Sequence, residues 1–466
     1  MPEQSQEADN LSSQGSQPGQ HPPGFRLRRG RNWFTVGLTY ASYYFNRYNL
    51  SMASTTLCRT FDYTNAQYGM IQSGRNWAYA VGQFWNGLLA DRIGGRWSMA
   101  IGGYGTAVMN LLFGLAAYQQ LMGPLYGVLG WFVMLRSIDG YIQAFGAPGM
   151  VKMNAAWFAR AERGRFAGIF GFMINIGRFI NNIASPILLA GITIRNHQIG
   201  GPGEWQWVFF VPAGFVVVVT TCMLLLTANT PEEAGYPDAV YHEDHADGDT
   251  GPLPLGFVFA TILSNKFIWL TAMAYFCTGV VRYGVDDWFP RYFEDARGLS
   301  LRSGAFQTTA WALPLVATLG SLTSGYISDL LFKGRRAPVA AVLYFTETLV
   351  ILGTAQLTSI WAVSAGLVAI AFTCNATHSI LGTAAAMDIG GRRMAGFAAG
   401  VIDSFQYIGA GLAGLGLGSL IDHFGWGAWL YGMAGFGVLG GILMVIMTRL
   451  ENRSHGELAI STSQAG

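Results

Sequence analysis

Ten ionisable side chains stand inside stretches that are otherwise apolar: Arg47, Arg75, Arg136, Arg178 and Arg282, with Asp139, Asp286, Asp287, Glu347 and Asp403. A charge at the centre of a bilayer costs at least about 2.5 kcal/mol on insertion scales, so each marks a candidate site. Arginine stays charged at any relevant pH and offers a planar fork of donors that fits phosphate oxygens. Arg47 and Arg282 lie at matched depth in the first and seventh apolar runs and are expected to converge on the axis between two halves of the chain, where a shared anion would sit. A phosphate monoester carries between one and two negative charges near neutrality, which a pair of fixed cations balances. Arg136 has Asp139 three residues on, on the same helical face, and is expected to be neutralised by it. Tyr40 and Tyr44 lie one turn apart on the face leading to Arg47, and each can give a hydroxyl to a phosphate or sugar oxygen. His378 reads first as a packed histidine, Asp287 with Trp288 as a shaper of the seventh run, and Glu347 has no partner that the sequence identifies.

Such residues need a membrane-embedded frame. Of 466 residues only 12% are charged, while 51% are hydrophobic and 14% aromatic, a balance that excludes a soluble multidomain protein. The 62 glycines have no Gly-X-Y period and suit close helix packing in lipid. A net charge of +2 is too small to suggest a nucleic acid partner. Cys58, Cys222, Cys277 and Cys374 lie far apart, without metal or redox spacing, and read as small buried hydrophobes. No metal or cofactor is expected, and the lack of a nucleophile elbow or Walker loop argues against an enzyme and against ATP-driven transport.

About twelve runs are long enough to span the hydrocarbon, at 33–57, 66–90, 97–118, 124–150, 166–192, 205–228, 266–293, 304–330, 338–358, 360–388, 394–420 and 426–448. The expected organisation is a disordered tail over 1–30, a six-helix bundle over 31–228, a linker over 229–265, a second bundle over 266–450 and a short tail over 451–466. The linker carries Pro231, Pro237, Pro252, Pro254 and the acidic run Glu243, Asp244, Asp247, Asp249. Loop Lys and Arg, including Arg26, Arg28, Arg29, Arg31, Arg449 and Arg453, gather on the side that holds both termini, which predicts that both are cytoplasmic.

The halves repeat one another. The loop from Gly87 through Asp91 and Arg92 to Arg96 closes the second span, and Gly325 through Asp329 leads to Lys333, Gly334, Arg335 and Arg336 after the eighth. In each, a glycine is expected to let two helices approach and an aspartate to face basic residues across a tight turn, so Gly87, Asp91, Arg92, Arg96, Asp329 and Arg335 are candidate gating residues. Arg47-Tyr48-Asn49 matches Arg282-Tyr283-Gly284, and Gly164, Gly168 and Gly177 match Gly396, Gly400 and Gly409. These repeats point to an all-α membrane protein of twelve transmembrane helices in two pseudo-symmetric six-helix bundles related by an axis along the membrane normal, the architecture of the major facilitator superfamily. The loop from Gly87 to Arg96 resembles the signature of that superfamily, and Arg136-Ser137-Ile138-Asp139-Gly140 loosely resembles a second one.

Within it, sharper matches resemble the organophosphate:phosphate antiporters. Tyr40-Ala41-Ser42-Tyr43-Tyr44-Phe45-Asn46-Arg47 is similar to that family's first helix, and Arg282-Tyr283-Gly284-Val285-Asp286-Asp287-Trp288-Phe289-Pro290 to its seventh. Trp157, Glu162-Arg163-Gly164 and Asn175-Ile176-Gly177 are similar to the segment between its fourth and fifth. The resemblance implies exchange of an organic phosphate ester, of the glycerol phosphate, phosphoglycerate or sugar phosphate class, for inorganic phosphate in a bacterial inner membrane, by a chain able to work as a monomer. It implies phosphate binding by Arg47 and Arg282, and Tyr407 aligns with a site tyrosine. The sequence departs from the family where Gln83 replaces a lysine, Ile174 a histidine, Ala312 a glutamate and Asn375 a tyrosine, and where Arg75 and Arg178 are added. Arg75, about two turns from Gln83, is placed to restore the missing cation at another depth; Asp403 is open to pairing with Arg178 or Arg75, or to a substrate hydroxyl. The candidate substrate-binding set is Arg47, Arg282, Tyr44, Tyr40, Arg75, Arg178, Gln83, Tyr407, Asn375 and Asp403. Two other readings stay open: a sugar-phosphate sensor that keeps the transporter fold, and a proton-coupled symporter of an organic anion with its proton on Asp403 or His378.

Overall fold

The computed structural model describes residues 22–116, 127–158, 160–194, 197–237, 255–332 and 335–464; the side chains of Asp91, Asp329 and residues 160–171, 194, 197, 255, 258, 259, 383–397 and 454–464 lie outside the description. Helices follow the apolar runs. The first span is α1 (Phe25–Arg47) and α2 (Asn49–Phe61), the second α3 (Asn65–Ile93), the third α4 (Gly95–Leu115) and the fourth α5 (Gly127–Gln143) with α6 (Gly146–Trp157). The fifth is α7 (Arg160–Ala190), followed by a hairpin of β1 (Ile192–Ile194) and β2 (His197–Ile199), and the sixth is α8 (Trp207–Leu226). After the short α9 (Leu255–Leu263), spans seven to twelve are α10 (Lys266–Arg291), α11 (Gly304–Phe332), α12 (Arg336–Ala355), α13 (Ile360–Ser379), α14 (Ala386–Phe424) and α15 (Gly427–Gln464).

Eight helices among the described residues are long and apolar enough to cross a bilayer. The spans that fall short are the first, second, fourth and seventh, which carry Arg47, Arg75, Arg136 and Arg282. Their lower hydropathy reflects polar side chains turned into the protein, where all four arginines are buried.

Several boundaries differ from the sequence expectation. The segment assigned to a tail over 1–30 is helical from Phe25, because Phe25 is buried and stacked on Trp157 with ring centroids 5.9 Å apart, and Asn32 accepts from the Ala228 N–H at 2.9 Å. The linker over 229–265 includes α9, and α15 runs on to Gln464 through the expected tail over 451–466. The first and fourth spans are broken. At Tyr48 the carbonyls of Asn46 and Arg47 accept from Arg136 at 3.5 and 3.0 Å, and the Tyr48 carbonyl accepts from Asn181 Nδ2 at 3.2 Å. The fourth span breaks at Ala144 and Phe145, just before Pro148, whose missing N–H is tolerated in the first turn of α6. Non-helical backbone survives at this depth because side chains satisfy it.

Glycine contacts repeat between the halves. A Cβ at Gly177 would lie 2.1 Å from the Ala41 carbonyl oxygen, and one at Gly409 would lie 2.1 Å from that of Phe276. Ala41 precedes Arg47 by six residues and Phe276 precedes Arg282 by six, so the same contact seats both arginine-bearing helices. Gly87 and Gly325, expected to bring helices together, have no neighbour within 4 Å of a Cβ; the close approaches are at Gly69, Gly74 and Gly82 in span two and at Gly320 in span eight instead.

The seam between the halves runs along α3 and α14, on the side away from the termini. A Cβ at Gly69 would lie 2.2 Å from the Gly414 carbonyl oxygen and one at Gly418 would lie 2.4 Å from that of Asn65. Beyond them Asp422 accepts from Asn65 N, Asn65 Nδ2 and Ala66 N at 3.0, 2.7 and 2.7 Å, a carboxylate from one half seated on the helix N-terminus of the other. Asp422→Ala should favour opening of this seam by about 1 kcal/mol, the usual worth of a lost cap, or roughly fivefold. Spin labels at the exposed Thr60 and Phe424 should then gain a longer-distance population, and an unchanged distribution counts against the latch.

Candidate functional site

Arg47 ends α1 at the break. Its Nε donates to Gln143 Oε1 at 3.0 Å and its Nη1 to Tyr407 Oη at 3.2 Å, while Nη2 has no hydrogen-bond partner. The guanidinium carbon lies 4.5 Å from the ring centres of both Tyr44 and Tyr79. Arg282, within α10, donates from Nη1 to His378 Nε2 at 3.3 Å and to the Gln406 amide oxygen at 3.1 Å, and its Nε has no partner. The two guanidiniums, one from each half, therefore end on consecutive residues of α14, Gln406 and Tyr407.

Neither makes an ion pair among the described residues, and neither does Arg75. That side chain is buried, donates from Nη2 to Asn76 Oδ1 at 2.7 Å and leaves Nε unpartnered. The guanidinium carbons of Arg75 and Arg282 each lie 5.9 Å from the ring of Tyr283, which is 5.8 Å from the ring of Tyr407. Three cations without a carboxylate partner thus surround the Tyr283–Tyr407 pair, an arrangement that favours any anion placed among them.

Arg136 and Arg178 are matched with acids. Arg136 bonds Asp139 at 3.1 Å, and Gln143 Nε2 donates to Asp139 Oδ1 at 3.2 Å while its Oε1 receives Arg47. This chain fixes Arg47 from behind. Arg178, expected among the substrate-binding residues, is instead ion-paired with Asp286 across the two halves, with Tyr48 Oη donating to Asp286 Oδ2 at 3.3 Å. Its charge is neutralised there, so it ties the halves together.

Asp403 meets neither Arg178 nor Arg75: it accepts from Gln83 Nε2 at 2.7 Å and from the Gln406 amide nitrogen at 3.1 Å. Gln406 passes that contact on to Arg282, so Gln83, Asp403, Gln406 and Arg282 form one string across the halves. Asn375 turns its amide to the Ala371 carbonyl of its own helix at 2.8 Å, and no described bond joins it to a site arginine. Tyr40 packs edge-on against Tyr44, with ring centroids 5.5 Å apart. His378 is more than a packing residue, since it receives Arg282 and stacks on Tyr275 at 5.3 Å; these partners fit a neutral ring with its proton on Nδ1.

Tyr79, Gln143, Tyr283 and Gln406 belong to the site although the sequence reading did not single them out for it. A spacing signal was available: Tyr79 lies four residues from both Arg75 and Gln83, and Gln143 four residues from Asp139, each on one helical face. The motif-loop arginines hold their own halves. Arg96 donates to the Leu224 carbonyl of α8 and Arg335 to Asn452 of α15, Arg92 is exposed, and the side chains of Asp91 and Asp329 lie outside the described residues. Gly94 takes a φ of +85° at the turn before Arg96, which favours glycine there.

The family model of the Major Facilitator Superfamily matches residues 36–414. The chain belongs to this superfamily. It is 26% identical to a probable hexose phosphate transport protein of Chlamydia trachomatis, over 86% of this chain and 87% of that one. It is 28% identical to the glycerol-3-phosphate transporter of Bacillus subtilis (84% and 86%) and 25% identical to the membrane sensor protein UhpC of Escherichia coli (86% and 88%). The solved structure of a bacterial homologue of the human lysosomal transporter Spinster, inward-facing and occupied, matches 92% of this chain and 98% of its own with a TM-score of 0.71 at 14% identity, a likeness of fold. The superfamily and these relatives mark a membrane transport protein rather than an enzyme.

Arg136→Met leaves Asp139 buried and unpaired, which costs about 3–5 kcal/mol. Its melting temperature in detergent should fall clearly, and Arg136→Met with Asp139→Leu should recover most of the loss. A single variant as stable as the parent would show that the pair does not hold the break.

Proposed function

We propose that the chain is a secondary transporter that exchanges an organic phosphate ester for inorganic phosphate by alternating access. The observation that carries the reading is the group of buried arginines without a carboxylate partner, Arg47, Arg75 and Arg282, set between the two halves. The unpartnered Nη2 of Arg47 and Nε of Arg282 offer donors to phosphate oxygens, and the hydroxyl of Tyr407 adds another. Asp403 and Gln83 suit hydroxyls on the organic part. The similarity to hexose phosphate and glycerol-3-phosphate transporters supports the same substrate class, and the loop Lys and Arg support cytoplasmic termini.

With the site empty, the arginines repel and hold the halves apart on the terminal side. A bound dianion draws Arg47 and Arg282 together and so favours movement of one half against the other. Free inorganic phosphate satisfies the same donors as the ester, which makes exchange faster than net flux. The open space at Gly87 and Gly325 supports a second state in which the terminal side closes and the α3–α14 seam parts. A sensor reading shares this site, and the sensor among the relatives keeps it in view; it differs in binding the ester without appreciable flux.

Arg47→Lys and Arg282→Lys keep a charge but lose the fork, a loss of about 1.5–3 kcal/mol for charged hydrogen bonds, or roughly 10- to 100-fold in phosphate counterflow in proteoliposomes, with normal membrane insertion. Arg47→Lys exchanging at the parental rate would remove Arg47 from the site. Ester binding by the parent without counterflow would decide for the sensor.

A further inference from the structure

Arg47 and Arg282 match the charge of a phosphate by themselves, yet a third guanidinium stands nearer the seam. Arg75 lies four residues before Tyr79, whose ring faces Arg47, and six after Gly69, where α3 meets α14. Its guanidinium carbon and that of Arg282 each lie 5.9 Å from the ring centre of Tyr283, so the two are no more than twice that distance apart. A ligand held by Arg282 can therefore extend to Arg75 within one site.

Around Arg75 several buried polar atoms have no partner among the described residues. Arg75 Nε and Asn76 Nδ2 are donors of this kind, and the 2.7 Å bond from Arg75 Nη2 to Asn76 Oδ1 sets the two side chains together. Gln72 Oε1, one turn before Asn76 on α3, and both carboxyl oxygens of Asp287 on α10 are acceptors of the same kind. Tyr68 joins these two residues: its hydroxyl donates to the Asp287 carbonyl at 3.0 Å and accepts from Gln72 Nε2 at 2.9 Å. All four side chains are buried, where unmet donors and acceptors cost free energy until a ligand meets them.

Two donors beside a fixed cation fit a carboxylate, and the acceptors next to them fit a hydroxyl. Resting on the anion-site reading above, we propose that the organic part of the ester is a hydroxy acid. Its carboxylate binds Arg75 and Asn76 and its hydroxyl the acceptors of Gln72 and Asp287, while the phosphate occupies Arg47 and Arg282. Asp287 is the rival for the charge of Arg75. Among the described residues no ion pair joins the two, and Asp287 lies four residues past Tyr283, the ring that Arg75 and Arg282 share. An ester with hydroxyls alone would leave Arg75 without a counter-charge.

The esters 3-phosphoglycerate and glycerol 3-phosphate differ only at the first carbon, a carboxylate in one and a hydroxymethyl group in the other. The ratio of their affinities therefore reads the carboxylate subsite and cancels the phosphate contacts that they share. Displacement of radiolabelled inorganic phosphate from the purified protein gives both affinities. The parent should bind 3-phosphoglycerate about 10- to 100-fold more tightly than glycerol 3-phosphate, the range expected for hydrogen bonds to charged groups. Arg75→Met should remove most of that preference, even where it weakens both esters together. Arg75→Gln, which keeps a donor for Asn76, takes its place if Arg75→Met does not fold. A parent without the preference, or a variant that keeps the parental ratio, overturns the proposal and leaves the anion site intact. A parent that binds no inorganic phosphate overturns the anion-site reading, and this inference with it.

Discussion

Arginine cannot shed its charge at membrane depth, so each buried guanidinium must find a carboxylate, a set of neutral acceptors or a ligand. That constraint sorts the interior of this protein. Arg136 has Asp139 and Arg178 has Asp286, and these pairs build structure: one holds the break in the first span, the other ties the halves. Arg47, Arg75 and Arg282 rest on neutral amides, an imidazole and tyrosine rings, which satisfy some of their hydrogens without cancelling their charge. The break at Tyr48 follows from the same need, because Arg136 takes the carbonyls that would have continued the helix.

The two halves reach their arginines by one route and support them by different ones. Gly177 on Ala41 and Gly409 on Phe276 set the helices at equal distance from the equivalent arginines. Beyond that the symmetry lapses. Arg47 closes a broken helix and is braced by Gln143 within its own half, whereas Arg282 sits in a continuous helix and is braced by His378 and Gln406. A substrate with chemically unlike ends suits such an asymmetric cradle. Across the seam the glycines of α3 and α14 permit backbone contact, while Asp422 adds a polar latch at its edge.

The twelve spans, the duplication and the placing of arginines were legible in the amino-acid order, because hydropathy and helical spacing are local quantities. Arg136 with Asp139 is such a case, three residues apart on one face. The broken spans were less legible, since the residues that stabilise Tyr48 come from α5 and α7. The partners of Arg178 and Asp403 were not legible at all.

By itself the sequence determined a membrane protein with two repeated halves, five intramembrane arginines and among them a matched pair, Arg47 and Arg282, aimed at one axis. Tertiary structure alone decided that Arg178 is neutralised while Arg47, Arg75 and Arg282 are not. Asp286 lies over a hundred residues from Arg178, and Gln83 more than three hundred from Asp403. Such pairings depend on the rotation and depth of helices packed against one another, which a pattern along one helix does not encode.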